Sequence, residues 1–186
     1  SMALYQRMLE RGDLPVRTSL QRLISNTGPA EGIVRQIEAI AREPLCHGGP
    51  MLKTTGVKLF LDGGMLTGSA YMREPWGVSR IYAIDDPAYR GTLFVEHERL
   101  VPIVRAAIER GLQFTAHTVG DGAVHALVDA YGEVFKTRSI RETRPCISHC
   151  NFMSAESIER MARMGVCADV QPAWLYLDAR TLSAHF

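Results

Sequence analysis

Strand-like and helix-like segments alternate along this chain, and this alternation limits the possible folds more than any other feature. Runs of β-branched and apolar residues, which are typical of buried strands, occupy positions 14–20, 57–61, 113–118, 145–149 and 166–170. Segments with apolar residues at helical spacing occupy positions 4–10, 31–42, 95–110, 122–135 and 155–164. Because strand–helix–strand units in succession build parallel sheets with right-handed crossovers, the sequence predicts an α/β fold with a parallel sheet and flanking helices.

The number of predicted strands narrows the architecture. Such a sheet is either doubly wound or closed into a barrel, and five strands do not decide between the two. They are, however, too few for a closed (β/α)8 barrel, which typically needs about 250 residues. The chain has 186 residues, of which 46% are apolar, so we expect a single domain over residues 1–186 with one hydrophobic core.

Ser154 is expected to cap the last predicted helix, whereas Pro102 predicts either a kink in the 95–110 helix or its true start.

One long connection interrupts the alternation. Residues 63–91 are rich in glycine and proline, and neither a strand nor a helix pattern fits them. Long loops inside compact domains are usually lids, substrate-binding loops or disordered segments. The aromatic residues Tyr71 and Trp76 favour a substrate loop that forms part of a binding pocket.

The charge pattern limits the classes of partner. The chain carries 21 basic and 20 acidic residues, a net charge of +1, and they are spread along the whole sequence. Nucleic acid and membrane surfaces are therefore not expected partners. No segment reaches the roughly 20 apolar residues that span a bilayer, and the first residues do not resemble a signal peptide, so we expect a cytoplasmic location. Ser1 before Met2 is interpreted as the remnant of an expression tag.

The four cysteines are expected to be reduced, because a chain of this size with a normal core needs no disulfides. Cys146, His149 and Cys150 are spaced like part of a zinc knuckle, but no second pair follows at zinc-finger spacing. In an extended strand, Cys146 and Cys150 would face one side and His149 the other. We therefore predict that these three residues share no metal site and that the cysteines are small buried groups.

Three polar residues, Lys58, His117 and His149, lie near the carboxyl ends of successive predicted strands. Parallel α/β folds place their reactive groups there, and imidazoles with an anionic oxygen ligand suit zinc. Two alternatives remain open: a Lys58 that extends to solvent, and a His117 that is a hydrogen-bonded core residue. Asp62 either supports the site or forms a turn, and the turn is favoured; Asp121 is expected to cap the following helix.

The motifs around these residues resemble the amidohydrolase superfamily, and within it the group called amidohydrolase family 3. The matching segments are Gly-Val-Lys-Leu-Phe-Leu-Asp-Gly at 56–63, Ala-His-Thr-Val-Gly-Asp at 116–121, Ser-His-Cys-Asn at 148–151 and Gly-Val-Cys-Ala-Asp-Val-Gln-Pro at 165–172. The order and spacing of Lys58, His117 and His149 also agree with that group.

The resemblance implies a partial (β/α)8 TIM-type barrel, of which this chain covers about strands three to seven. It implies that Lys58 reacts with carbon dioxide to give a carbamate that bridges two metal ions, and that His117 and His149 complete the protein ligands of the second ion. The metal would be zinc or another divalent ion. The implied reaction is hydrolysis of an amide-type C–N bond in a small molecule by water that the metal activates.

Two parts of the family's metal centre are missing from this sequence. The His-x-His pair of the first barrel strand is absent, because no two of the 6 histidines lie two positions apart. The aspartate that follows the eighth strand of the family has no counterpart before Phe186. We therefore expect one metal site that keeps its protein ligands and a second site that is incomplete.

Two functions are consistent with these features. The first is a metal-dependent hydrolase of amide-type C–N bonds, or a central fragment of one. The second is a catalytically inactive barrel remnant that acts as a structural or partner-binding oligomeric module. Because an open parallel sheet exposes two strand edges, we expect a homo-oligomer or a complementing chain. A nucleotide-binding domain is disfavoured, since no glycine-rich phosphate loop follows the first strand.

Overall fold

The structure is a computed structural model that describes residues 2–185, so the tag remnant expected at Ser1 lies outside the described residues. Helices and strands alternate as the sequence predicts. The helices are α1 (Met2–Glu10), α2 (Ala30–Ala41), α3 (His97–Glu109), α4 (Asp121–Phe135), α5 (Ala155–Met164) and α6 (Pro172–His185). The strands are β1 (Thr18–Leu23), β2 (Leu52–Phe60), β3 (Gln113–Thr118), β4 (Cys146–His149) and β5 (Cys167–Asp169).

The strands form one parallel sheet in the order β1-β2-β3-β4-β5, which confirms the predicted fold class. Their register aligns side chains into rows across the sheet. One row joins Leu23, Lys58, Thr115, Cys146 and Cys167, each the pairing partner of the next. The next row toward the carboxyl ends joins Phe60, His117, Ser148 and Asp169. These rows lie on one face of the sheet, because side chains two residues apart on a strand share a face.

The hydrophobic core lies on the other face, between the sheet and the helices. Val57, Leu59, Phe114, Ala116 and Ile147 point from the strands into this core and are fully buried. Helices α2 to α5 pack over them with apolar stripes at helical spacing; that of α2 consists of Ile33, Ile37 and Ile40. The opposite face carries exposed apolar side chains, since Leu23 is 60% and Phe60 44% exposed. The sheet is therefore covered on one side, and we refer to the other side as the open face.

Several helix ends have local causes. The Ser154 hydroxyl accepts a hydrogen bond of 3.1 Å from the backbone N–H of Ser157, which confirms Ser154 as the cap of α5. Gly165 ends this helix in the left-handed conformation at φ 75°, where a glycine is favoured. Pro102 lies inside α3, whose first residue is His97, so of the two alternatives for Pro102, a kink or the helix start, the helix start is wrong.

The strands β1, β2 and β5 have different boundaries from those predicted, and β4 begins one residue later than predicted. The first strand covers Thr18–Leu23 rather than 14–20, because Pro15 has no N–H for the ladder and Leu14 instead joins a small cluster with Leu45 and Leu52. The second begins at Leu52 rather than 57, and an irregularity beside Thr55 shifts its pairing register with β1. The last strand is shorter than predicted, and helix α6 after it had no predicted counterpart.

The connection from β2 to α3 contains no regular strand or helix, as the sequence predicts for 63–91. It is nevertheless fixed to the rest of the fold by hydrogen bonds. The backbones of Leu93 and Asp62 pair in an isolated antiparallel β-bridge. The indole N–H of Trp76 donates a hydrogen bond of 2.8 Å to the carbonyl oxygen of Ala70. The loop passes so close to α4 that a Cβ at Gly120 would overlap the carbonyl group of Tyr71. No helix in the part of the chain described here is long and apolar enough to cross a membrane.

Candidate metal and substrate site

Lys58, His117 and His149 lie together at the carboxyl ends of three adjacent strands. His117 pairs in register with Ser148, the residue before His149, and Thr118 pairs with His149 itself. The two imidazole rings meet edge to face with their centroids 4.6 Å apart. Lys58 lies two residues before the end of β2 and reaches the same region across β3. The structure thus brings together the three residues that the sequence singles out.

Lys58 does not extend into solvent. Its Nζ donates a hydrogen bond of 2.7 Å to the hydroxyl oxygen of Ser148, which is itself buried. Desolvation lowers the pKa of Lys58, and the surroundings of Cys146 and Asp169 offset only part of this effect. A lysine with a lowered pKa carries its uncharged amine more often than a solvated lysine does, and the uncharged amine is the nucleophilic form.

His117 is half-buried between β2 and the start of the long loop. Its Nε2 lies 3.2 Å from the carbonyl oxygen of Gly63, and its ring contacts the ring of Phe60 at a centroid distance of 5.1 Å. Burial is the largest cause that lowers the pKa of His117, and the neighbouring His149 and Lys58 lower it further. The neutral imidazole, which has a free lone pair, is therefore favoured at this position.

The backbone at the end of β4 turns His149 toward His117. His149 and Cys150 have φ values of 83° and 51°, a region that non-glycine residues rarely adopt. This turn breaks the strand alternation, so the prediction that Cys146 and Cys150 face the same side is wrong: Cys150 is buried in the core under the helices. Strained backbone of this kind concentrates at functional sites.

Two residues from the following segment hold the His149 ring. Its Nδ1 lies 2.6 Å from the side-chain oxygen of Gln171, and this amide donates in turn to the backbone oxygen of Asp169. The indole ring of Trp174 stacks on His149, with an interplanar angle of 14° and a centroid distance of 4.9 Å. A ring nitrogen that donates to an oxygen fixes the tautomer, so Gln171 directs the lone pair of His149 to Nε2.

Asp62 is a buried anchor and not the turn former that the sequence favoured. Its carboxylate accepts hydrogen bonds from the backbone N–H groups of Val119 at 2.9 Å, Gly120 at 2.8 Å and Tyr71 at 3.1 Å. Its Oδ1 also lies 3.8 Å from Nε2 of His117. Burial raises the pKa of Asp62 to about 6, although the three backbone donors lower it. Asp62 thus fixes the loop and the turn after β3 around the histidine.

Asp121 has a different role from the helix cap expected. Gly120 occupies the cap position of α4 without a side-chain bond, and the Asp121 carboxylate instead accepts a hydrogen bond of 2.9 Å from the backbone N–H of Arg73. Tyr71 contributes its carbonyl oxygen to the backbone N–H of Ala123, so the loop is fixed to the start of α4. Tyr71 and Trp76 therefore fix the loop through hydrogen bonds, and the loop residues that line a cavity with His117 are 64–67.

Sequence reasoning missed five residues of the site, which are Met65, Ser148, Asn151, Gln171 and Trp174. Four of them contact Lys58 or His149 or line a cavity beside the histidines, and the fifth, Asn151, lines the cavity next to His149. Ser148, Asn151 and Gln171 belong to segments that the sequence matched as motifs, so the motifs contained a signal for them. Nothing in the pattern around Trp174 indicates that its ring would stack on a histidine.

Two of the side chains at this site are suitable ligands for a divalent ion, and the third, Lys58, is suitable only after a chemical change. Among the side chains that the structure describes, no three from histidine, cysteine, aspartate and glutamate converge closely enough to hold a metal. Two adjacent imidazoles, one with a lowered pKa and one with its tautomer fixed by Gln171, are suitable nitrogen ligands. An ammonium is no ligand, so Lys58 completes the set only as a carbamate, and its lowered pKa favours the amine that forms one.

The fold is similar to two solved structures of archaeal proteins. An uncharacterized metal-dependent hydrolase from Pyrococcus furiosus aligns with a TM-score of 0.72 and 22% identity, over 97% of this chain and 34% of that chain. A second uncharacterized metal-dependent hydrolase, from Pyrococcus horikoshii OT3, aligns with a TM-score of 0.69 and 24% identity, over 94% of this chain and 31% of that chain. The five-stranded sheet with its helices therefore matches about a third of the fold of each of these proteins.

Two relatives match at the level of sequence. "Putative amidohydrolase YtcJ" of Bacillus subtilis (strain 168) is 30% identical over 130 residues, which are 70% of this chain and 23% of that protein. "Protein LONG AFTER FAR-RED 3" of Arabidopsis thaliana is 31% identical over 128 residues, which are 69% of this chain and 21% of that protein. The matched region thus spans less than a quarter of the length of either relative.

The family-level comparison covers almost the whole chain. The family model described as "Amidohydrolase family" matches residues 1–185, which include every segment on which the resemblance was based. This chain belongs to the amidohydrolase family.

Proposed function

We propose that this chain carries part of the catalytic centre of a metal-dependent hydrolase that cleaves amide-type C–N bonds in small molecules. One observation supports this proposal above the others: Lys58, His117 and His149 converge at the carboxyl ends of three adjacent parallel strands. In parallel α/β folds this end of the sheet is where reactive groups are found. Membership of the amidohydrolase family agrees with this chemistry.

Lys58 takes part as a carbamate. Its uncharged amine attacks carbon dioxide, a C–N bond forms, and one proton leaves to solvent. The product is an anionic oxygen ligand, and the desolvation that lowers the pKa of Lys58 favours the uncharged amine from which it forms. Ser148 positions the amine through its hydrogen bond of 2.7 Å to Nζ.

His117 and His149 bind beside the carbamate through neutral ring nitrogens. A divalent ion such as zinc, held by these three groups, would polarise an amide carbonyl and acidify a water molecule. Asp62 fixes the backbone around His117, and Gln171 fixes the tautomer of His149. The second metal site of the family remains incomplete in this chain, and the part of the barrel that would supply its other ligands is not in this sequence.

Metal content tests this proposal directly. We expect the chain, purified after growth with added zinc, to contain about one zinc per molecule by inductively coupled plasma mass spectrometry. H149A should lose the metal, whereas H97A, which alters an exposed histidine at the start of α3, should retain it. K58A should also lose metal, and added propionate should restore part of it by replacing the carbamate oxygens. Unchanged zinc in H149A would refute the proposal.

Hydrolysis is tested separately with a panel of N-acyl compounds. The expected result is metal-dependent release of amine and carboxylate, suppressed by a chelator and restored by zinc. A chain that binds zinc but releases no product would limit the proposal to a metal site without catalysis.

A second function is supported by the open face of the sheet. Leu23 and Phe60 are exposed there, and β1 and β5 are edge strands in the described part of the chain. We propose that a second copy of this chain covers the open face, so that the chain acts as an oligomeric module. The net charge of +1 leaves little repulsion between copies. A single monomeric species in light scattering at all concentrations would rule this out.

A further inference from the structure

We propose that Cys146 and Cys167 form a two-coordinate site for a soft metal ion, Cu(I), on the open face of the sheet. This site uses neither of the two histidines and is independent of the proposed hydrolase function. Three observations carry it: the pairing register of the last two strands, the exposure of both thiols, and the separation between side chains in register on parallel strands.

The two cysteines lie opposite each other on neighbouring strands. Cys146, the first residue of β4, pairs in register with Cys167, the first residue of β5. Side chains in register on parallel strands point to the same face of the sheet. This face is the open one, because Cys146 also pairs with Thr115 in the row that contains Lys58. The two thiols therefore lie side by side on the open face.

Both thiols are free and reachable from solvent. Cys146 and Cys167 are not disulfide-bonded, and each is only partly buried. Cys46 and Cys150 differ, since both pack with the hydrophobic core and each donates from its Sγ to a backbone carbonyl oxygen. In the part of the chain that the structure describes, the sulfur atoms of Cys146 and Cys167 make no hydrogen bond of this kind. Their lone pairs are therefore available to a ligand.

The spacing of the strands selects the kind of bridge between the sulfur atoms. Neighbouring strands lie roughly 4.8 Å apart, so two side chains in register with the same rotamer hold their sulfur atoms about that far apart. A disulfide needs Cβ atoms about 3.8 Å apart, which is closer than this spacing. Zn–S bonds are about 2.3 Å long, and an ion with similar bonds that lies between two sulfur atoms spans roughly 4.6 Å. Linear coordination of one ion thus fits the pair without movement of the backbone.

Cu(I) is the ion that suits two thiolates alone. Thiolate ligands favour soft ions, and Cu(I) binds two of them in a line, whereas zinc takes four ligands in a tetrahedron. Among the described side chains, no third histidine, cysteine, aspartate or glutamate joins the two cysteines, which disfavours zinc. When Cu(I) binds, two sulfur–copper bonds form, two thiol protons leave to solvent, and nothing is oxidised or reduced.

The thiol proton of Cys146 is held firmly in the metal-free chain. Burial raises the pKa of Cys146 to about 11, and the nearby Asp169 and Cys167 raise it further. A metal ion that coordinates a thiol displaces its proton, so binding is expected to weaken as the pH falls. The two thiols are therefore protonated near neutral pH until a soft ion replaces their protons.

X-ray absorption on the unchanged chain tests the site. The metal-free chain receives half an equivalent of Cu(I), supplied without oxygen as its acetonitrile complex, so that only the tightest site is filled. Unbound ion is removed by gel filtration. We expect the fine structure at the copper edge to show two sulfur neighbours at one distance and no nitrogen or oxygen neighbour. Nitrogen neighbours, three or more sulfur neighbours, or no retained copper would overturn the proposal, whatever the variants show.

Variants then assign the two sulfur atoms. C146S and C167S should each lose the two-sulfur signature and bind Cu(I) at least about tenfold more weakly in competition with bicinchoninate. C46S is the matched control, because Cys46 is also a free, partly buried thiol but packs against the core, and it should bind as the unchanged chain does. A two-sulfur signature that persists in folded C146S or C167S would overturn the proposal.

One further variant separates this site from the proposed zinc site. H149A should leave the copper signature unchanged, because the two sulfur ligands do not involve His149. A chain that holds Cu(I) between two sulfur atoms but contains no zinc would reject the proposed function and retain the copper site. A chain that binds zinc but shows no two-sulfur copper signature would do the reverse.

Discussion

Lys58 on β2 reaches past β3 and donates a hydrogen bond of 2.7 Å to the hydroxyl group of Ser148 on β4. The bond crosses the open face of the sheet, next to the two histidines. It joins strands that are not neighbours, and it is the contact that keeps the lysine amine at the site.

A double-mutant cycle measures this contact. S148A and K58M should each destabilise the chain. Because either substitution alone removes the same half-buried hydrogen bond, the double variant should lose less stability than the sum of the two, with a coupling free energy of about 1 kcal/mol. The free energies of unfolding are measured by urea denaturation in metal-free buffer purged of carbon dioxide. The same cycle on the exposed Lys136–Glu133 pair serves as the control and should give a smaller coupling, since water screens that pair. A coupling of zero at Lys58 and Ser148 would contradict the geometry.

The sequence predicted the sheet because each strand and helix carries its own periodic signal. The β3 strand was predicted with its observed bounds, since Phe114 and Ala116 alternate with polar residues and Gly111 separates the strand from the helix before it. The β1 and β2 bounds were wrong for a local reason: Pro15 excludes pairing where the apolar pattern begins, and Thr54 and Thr55 extend β2 beyond the apolar run.

The site was only partly predictable. Lys58, His117 and His149 were identifiable because strand ends of a parallel sheet meet at one edge. The role of Asp62 was not, because three backbone donors that converge on one carboxylate come from segments far apart in the chain. The orientation of His149 was also not predictable from the sequence. Alternation of side chains along a strand requires an extended backbone, and the backbone at His149 and Cys150 has positive φ values instead.

Replacing Asp62 with asparagine should destabilise the fold. An asparagine side chain has one acceptor oxygen, so D62N leaves at least one of the three buried backbone donors facing an amide N–H2 group. The expected loss is about 1–3 kcal/mol in the free energy of unfolding by urea denaturation. D121N is the matched control, because Asp121 accepts one such bond near the surface and should lose less than half as much. Equal effects of the two variants would show that Asp62 is not the stronger anchor.

Tyr131 is expected to make stability depend on alkaline pH. Its buried hydroxyl lies 2.9 Å from the carbonyl oxygen of Phe114 and 3.1 Å from that of Cys146, so it connects α4 to β3 and β4. Burial raises the pKa of Tyr131 well above its usual value. The unfolded tyrosine ionises near pH 10 while the folded one keeps its proton, so its contribution is complete below pH 10 and is lost as the pH rises further.

The Y131F variant separates the contribution of the hydrogen bonds at neutral pH from the loss of stability at alkaline pH. Y131F should lower the free energy of unfolding by about 1–2 kcal/mol at pH 7, because the two carbonyl groups that share the single hydroxyl proton lose their donor. Above about pH 10 the difference between wild type and Y131F should shrink, since only wild type carries the titrating group. Urea denaturation at pH 7, 9 and 10.5 measures both, with Y176F as the exposed control. A difference that stays constant with pH would contradict the raised pKa.

The open face gives the last prediction. Leu23 and Phe60 are exposed on the open face, and burying both against a second copy would remove apolar surface from water. A glutamate in this patch would carry two like charges into a symmetric interface, which is strongly unfavourable. We therefore expect L23E to shift the chain toward the monomer in light scattering over a range of concentrations. V78E is the control, because Val78 is equally exposed but belongs to the loop between β2 and α3. If both variants associate as wild type does, the open face is not the interface; if both become monomeric, net charge rather than the position of Leu23 controls association.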